Sequence, residues 1–445
     1  MNTRPSPADT GPTAPRSLPW WTRPSAVNLL FILPMLVVVL WAGASDFSGL
    51  TIRARSYLSA PYVALCIALV LVSSVGAWLG ESMRPRNVLH CADADLARTA
   101  CGLGVVVLAA YVFWFRVVML DPALLWNVLV GLEKPDRTEI GMVAGVTSLV
   151  NLSPVFFTLA GYLLFARRQR GWPLVTLTVV LLLLTVFRAY LWSERLALAE
   201  VAIPFALAIL SAWSPRPTQR VRRAVYFLGP YAALPAVFLF FAVAEFFRSW
   251  SYYDARMEFW EFALGRFVSY YYTSLNNGAG MLATMDWPDG SFQHVLLWLH
   301  KFPFGIGLSF SDMVGLNEYG MESPPTAAGR AFLDRYGDPE FNTPSGFLSV
   351  TFDLGVPGAM LYYFLTMLAS GVLYTRYRRG DLPSLMLYPS VLVALFETFR
   401  YPYWGQSRAF VWFLGALAVL AVLWASGAIG ASKRFDHAGR RSPAA

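Results

Sequence analysis

The sequence predicts an all-α protein that crosses a membrane about ten times, and three observations predict it. Of its 445 residues, 56% are hydrophobic and only 14% charged, with a mean hydropathy of +0.49; a soluble domain carries about a quarter charged residues. Apolar runs of about 20 residues, long enough to cross a hydrocarbon core as helix, recur along the chain. Arginine clusters fall in alternate connections between these runs, as they do in cytoplasmic loops. Lipid offers the backbone no water, so each spanning segment must close its own hydrogen bonds, which makes the helix the expected unit.

Ten spans are expected, at 27–45, 60–80, 99–119, 140–165, 173–191, 196–213, 224–247, 347–375, 384–400 and 408–429. Residues 1–26 are rich in Pro, Ser and Thr and read as a disordered cytoplasmic tail. The first run ends in Ala42, Gly43, Ala44 and Ser45, small residues that would suit signal cleavage. Its long leader and the many later spans favour a retained helix. With the N-terminus inside, the inside segments carry Arg84, Arg86 and Arg98; Arg167, Arg168 and Arg170; Arg216, Arg220, Arg222 and Arg223; then Arg376, Arg378 and Arg379. The tail 431–445 adds Lys433, Arg434, Arg440 and Arg441. Every inside segment is therefore positive and both termini are expected in the cytoplasm, as in a multi-pass protein of the bacterial inner membrane. The expected organisation is seven spans over 27–247, a large outer loop over 248–345 and three spans over 346–430.

The net charge of +8 lies in these short clusters, so nucleic acid is not an expected partner. Cys66, Cys91 and Cys101 have neither metal nor disulfide spacing and read as packing residues. No Walker A loop, HExxH or GxSxG is present. Asp93 and Asp95 form a DxD, but on the cytoplasmic side, away from the other candidate groups.

The loop 248–345 is far longer than an ordinary connection and too aromatic to be disordered. Its stretch His294 to Phe310, broken by Pro303 and two glycines, is too short to span and should lie in the outer interface. The run from Gly265 to Asn277, with Tyr271 inside it, mixes aromatic faces with amides and hydroxyls. Such a mixture suits a sugar, and equally an interfacial aromatic belt.

Charged residues near span ends fall on the outer side: Arg188, Arg195, Glu200, Glu245, Asp353, Glu397, Arg400 and Arg408, with Arg266, Arg330 and Arg335 in the loop. Snorkelling to headgroups explains any one of these. It explains the group less well, because few arginines are expected outside. Clustered guanidiniums at an outer mouth suit a phosphate or diphosphate, which their planar fork binds with two hydrogen bonds.

From Asn342 the chain reads NTPSGFLSVTFDLGVPGAMLYYF. This resembles the late segment of the oligosaccharide repeat unit polymerases, the Wzy-type O-antigen and exopolysaccharide polymerases. There an Asn-Thr, hydroxyl-rich stretch leads into an aromatic-x-Asp-[Phe/Leu]-Gly-x-x-Gly helix. Asn342, Thr343, Ser345, Phe352, Asp353, Leu354, Gly355 and Gly358 carry the likeness, and Ser193 with Arg195 looks like the family's Ser-x-Arg helix start. The resemblance implies a GT-C-like membrane glycosyltransferase acting on undecaprenyl-diphosphate-linked oligosaccharide. A chain-length regulator and a flippase of the same pathway would be its partners, with membrane lipids around it.

On that reading Arg188, Arg195, Arg266, Arg330, Arg335 and Arg400 hold the diphosphate, while Asn342, Thr343 and Tyr271 contact substrate. Asp353, Glu245 and His294, in that order, are candidates for the base. No cofactor and no metal is expected, since diphosphate is already a good leaving group and guanidiniums stabilise it. The related O-antigen ligases carry a His-Asn pair where this chain has Asn342-Thr343; His294 and His300, about fifty residues earlier, could stand in for it. A transporter or flippase, or a scaffold for polysaccharide assembly, is the reading from a different class. Against transport, the charges favour one face and no inverted repeat is visible.

Overall fold

The computed structural model describes residues 18–44, 55–85, 87–130, 132–133, 135, 140, 143, 145–192, 194–212, 220–254, 257–303, 305–315, 332, 335–337 and 343–433. Among them, nine helices are long and apolar enough to cross a membrane, and a tenth apolar helix is shorter. We number them α1 (Pro24–Trp41), α2 (Ala60–Ser82), α3 (Asp93–Leu120), α4 (Thr147–Ala166), α5 (Trp172–Trp192), α6 (Arg195–Ala212) and α7 (Arg220–Glu245). The next, α8 (Phe259–Thr284), is not apolar enough to span. There follow α9 (Gly346–Arg378), the 16-residue α10 (Leu382–Glu397) and α11 (Ser407–Ala425). Each of the ten expected spans has its helix, so the chain is an all-α multi-pass membrane protein.

One end of the bundle gathers the segments expected inside. Strand β1 (Asn87–Cys91) pairs antiparallel with β2 (Ile429–Lys433), an element that the expected spans did not contain. Ser25, opening α1, donates from its amide and hydroxyl to Glu81 at the end of α2, both at 2.9 Å. Arg167 after α4 pairs with Asp93 at 3.0 Å, and Asp95 pairs with Arg98 at 2.8 Å, so the DxD carboxylates are counter-ions. Asp381, the N-cap of α10, accepts from Arg376 at 2.9 and 3.0 Å, from the Leu89 amide at 3.0 Å and from the Ser384 hydroxyl at 2.7 Å. Burial alone would raise its carboxyl; these hydrogen bonds outweigh burial and hold it below the usual carboxylate range. We call this the basic end.

Helices α2 and α9 pack with their backbones in contact, and glycine is the reason. A Cβ on Gly76 would lie 2.4 Å from the Phe364 carbonyl oxygen, and one on Gly80 only 2.1 Å from that of Leu368. Reciprocally, a Cβ on Gly371 would lie 2.3 Å from the Ala77 carbonyl oxygen. Small residues spaced by four let two backbones touch, which is how helices gain dispersion energy where lipid removes the hydrophobic drive.

The helix α8 lies along the end opposite the basic end. Its first half meets the end of α7 through Arg266 and Glu245. In its second half, the Asn276 side chain accepts from the Tyr57 amide at 2.6 Å and donates to the Arg55 carbonyl at 2.8 Å, just before α2 begins. Gly278 admits Pro344 and Leu348 at the start of α9; a Cβ there would meet the Pro344 carbonyl oxygen at 2.5 Å. The segment expected as a loop thus contains a largely buried helix. The stretch from His294 to Phe310 does break as expected, into two short helices, Leu297–His300 and Ile306–Met313.

Gly80→Ala should lower the melting temperature of the purified protein by the cost of overpacking, about 1–3 kcal/mol. Gly102→Ala, where nothing lies within 4 Å of the new Cβ, should leave it unchanged or raise it. A melting temperature indifferent to Gly80→Ala would remove the close-packing account.

Candidate functional site

The site begins at a break in α9. Gly355 takes φ +70°, ψ 173°, which interrupts the helix two residues after Asp353. The carbonyl of Asp353 would normally be served by the amide of residue 357, but that residue is proline and has none. The loop before the short helices supplies the missing donors: the Asp289 amide bonds the Phe352 carbonyl at 2.9 Å, and the Gly290 amide reaches that of Asp353 at 3.3 Å.

The Asp353 side chain holds the same loop. One carboxylate oxygen accepts from the amides of His294 at 2.7 Å and Val295 at 2.8 Å. The other lies 2.7 Å from Nδ1 of His294. Against an ionised carboxylate, which only accepts, Nδ1 is the donor, and in the neutral form of the ring Nε2 then carries the lone pair. The carboxylate is wholly buried and both its oxygens are occupied, so it has no edge left for a substrate hydroxyl. His294 keeps 12% of its side chain exposed. Of the candidate bases it has the most exposed side chain, against 0% for Asp353 and 2% for Glu245.

The guanidiniums form a second group at the same end, and glutamates neutralise most of it. Arg188 pairs with Glu194 at 2.6 Å; Arg408 lies 3.9 Å from Glu194 and 3.4 Å from Glu200. Glu245 takes Arg195 on one oxygen and Arg266, at 3.5 Å, on the other, so it serves as their counter-ion. Arg400 pairs with Glu397 at 2.8 Å. Five guanidiniums thus face four carboxylates.

Arg188 and Arg266 are buried, with 5% and 4% of their side chains exposed, whereas Arg195, Arg400 and Arg408 keep 23%, 22% and 23%. Only the latter three can meet an incoming anion. The Tyr270 ring lies between two of them, 5.9 Å from the Arg195 guanidinium and 4.9 Å from that of Arg400.

The remaining expected residues sit elsewhere. Tyr271 packs edge-on against Phe399 and Phe267, with ring centres at 5.4 and 5.3 Å. Thr343 is bound to α8 through Ser274 and, at 3.2 Å, Asn277. Together with Asn276, these polar groups of the Gly265–Asn277 run hold backbone segments at the bundle's end. Arg335 is exposed and makes no ion pair among the described residues. Arg330, Asn342 and Ser193 lie outside the described residues.

Sequence reasoning passed over Glu194, whose only signal was its place beside Arg195, and the aromatic turn YPYWG between α10 and α11. It read His300 only as a stand-in, with His294, for the histidine of the ligases. The His300 ring is buried, with Nε2 on the Ser291 carbonyl and Nδ1 on the Ser311 hydroxyl, both at 2.9 Å.

Compared with known proteins, the chain matches no protein-family model, no curated protein and no solved structure. The fold and the site together define a class: a multi-pass α-helical membrane protein with a histidine–aspartate pair and an arginine–glutamate network at one end of its bundle.

Burial pushes the His300 imidazole below its ordinary value, against the opposing hydrogen bond to Ser291. Folding therefore favours the neutral ring. Its contribution to stability is complete above about pH 6.5 and is lost as pH falls from there through the folded value. Amide exchange across 291–311 should accelerate on going from about pH 7.5 to about pH 5, beyond the intrinsic pH effect. A His300→Gln variant should lack that excess; equal behaviour of the two proteins would refute the role.

Proposed function

We propose that this protein is a GT-C-like glycosyltransferase that joins undecaprenyl-diphosphate-linked oligosaccharide repeat units into polysaccharide at the outer face of the bacterial inner membrane. The observation that carries the reading is the juxtaposition of a carboxylate-oriented histidine with partly exposed guanidiniums at one end of a membrane bundle. Glycosyl transfer from a lipid diphosphate needs those two parts. One group takes a proton from the acceptor hydroxyl, and a cationic group receives the departing diphosphate.

In this mechanism Nε2 of His294 accepts the hydroxyl proton as the acceptor oxygen bonds to the anomeric carbon of the donor. The bond from that carbon to the diphosphate oxygen breaks, and its electron pair leaves with the diphosphate. Asp353 fixes the ring and balances the imidazolium that forms, as an aspartate does in a hydrolytic triad. Arg195, Arg400 and Arg408 meet the leaving diphosphate, with Arg188 and Arg266 anchoring the glutamates around them. Asp353 acts as a positioning residue, and Glu245 supplies counter-charge rather than base.

A ligase-like transfer of finished glycan to a different acceptor is favoured by one observation: a histidine lies against the broken helix. Deleting the gene and separating surface glycans by size distinguishes the readings. Loss of polymerisation leaves single repeat units, loss of ligation leaves long unattached chains, and loss of a flippase leaves repeats inside the cell. An unaltered length distribution would sink both transfer readings.

In proteoliposomes supplied with lipid-linked repeat units, His294→Ala should slow chain extension about 10²–10⁴-fold with normal insertion. Asp353→Asn should cost a comparable factor by releasing the ring. Full activity in His294→Ala would remove it as base. Arg400→Ala and Arg408→Ala should each slow the reaction about 10²-fold, while Arg335→Ala should leave it near wild type; the reverse order would move the diphosphate site to the loop.

A further inference from the structure

The connection between α10 and α11 touches both parts of the site. Its tight turn, Tyr403–Gly405, ends on a glycine with no room for a side chain: a Cβ there would lie 2.1 Å from the His294 carbonyl oxygen and 3.0 Å from that of Val295. At its other end the buried Tyr403 hydroxyl donates to Glu200 of α6 at 2.6 Å. The second oxygen of Glu200 faces Arg408, on the first turn of α11. That same turn carries Phe410, on which Trp298 stacks at 4.1 Å with the rings 4° from parallel.

We infer that the turn Tyr403–Gly405 is a strut that positions His294 and couples it to the guanidinium network through Glu200. Asp353 pulls the His294 segment towards the break in α9; Gly405 and Phe410 stop it from behind. The ring's place is therefore set by the spacing between two elements, and one of them is anchored by a carboxylate that also serves Arg408. An anion drawn to Arg408 acts on the same carboxylate that holds Tyr403. Tyr403 and Gly405 are thus positioning residues. The catalytic consequence rests on the reading of His294 as base, but the coupling itself can be tested without any assay of transfer.

The test uses the full chain in lipid nanodiscs, treated with diethyl pyrocarbonate, with carbethoxylation at His294 followed by mass spectrometry. His90, in β1 at the basic end, is the internal reference for intact folding. Tyr403→Phe and Gly405→Ala should each change the rate at His294 about fivefold relative to His90, since small misplacements have large effects on reactivity. Glu200→Gln keeps an acceptor oxygen for Tyr403 and should stay within about twofold of wild type, a rescue that general loosening would not produce. An unchanged His294 rate in both turn variants overturns the strut. Should Gly405→Ala fail to assemble, Tyr403→Phe, which removes a single oxygen, decides alone. A changed rate with lower kcat and unaltered KM for lipid-linked donor supports the strut and the base together. A changed rate with undiminished chain extension supports the strut and counts against His294 as the base.

Discussion

The carboxylate of Asp353 is the interaction on which the rest of this end depends. A helix inside a membrane cannot leave backbone groups unpaired, yet α9 contains Gly355 and Pro357, which break it. The gap is closed by a loop from elsewhere in the chain, whose amides take the carbonyls of Phe352 and Asp353. The same loop brings His294 to the Asp353 side chain. A backbone defect and a candidate catalytic pair are thus one structure. The broken helix creates the need for the loop, and the loop delivers the imidazole.

The arginines take a different meaning once their partners are known. Read along the sequence they form a large positive excess; folded, they are a network in which Glu194, Glu200, Glu245 and Glu397 balance most of the charge. Burying guanidiniums demands this, because an unpaired charge out of water is far costlier than a paired one. The network therefore has two layers. Arg188 and Arg266 hold the frame, and Arg195, Arg400 and Arg408 keep enough exposure to meet an anion.

The frame is rigid where it needs to be. The backbone contact of α2 with α9 through Gly76, Gly80 and Gly371 fixes the second half of α9 and runs down to the basic end. There Asp381 and the β1–β2 ribbon join the turn after α9 to the ends of α2 and α11. The first half of α9, beyond Gly355, is held by α8 and by the hydrogen bond from the Gly346 amide to the Thr398 carbonyl at 3.0 Å. Each side of the break has its own support, so the loop docks into a gap of defined shape.

By itself the sequence determined the class, the span positions and the grouping of the arginine-bearing connections. These follow from local rules: apolar length, the backbone's need for internal hydrogen bonds, and charge bias in loops. It also carried the break in α9, since Gly355 and Pro357 are legible as a defect in any helix. Only the tertiary structure decided that His294, fifty-nine residues from Asp353, is its partner, and that Glu245 is a counter-ion between Arg195 and Arg266. Likewise α8 looked like loop because its buried face is polar: Asn276, Asn277 and Ser274 are spent on the backbone and hydroxyl groups of neighbouring segments. Hydropathy registers such residues as exposed, whereas their burial depends on partners that folding alone brings within reach.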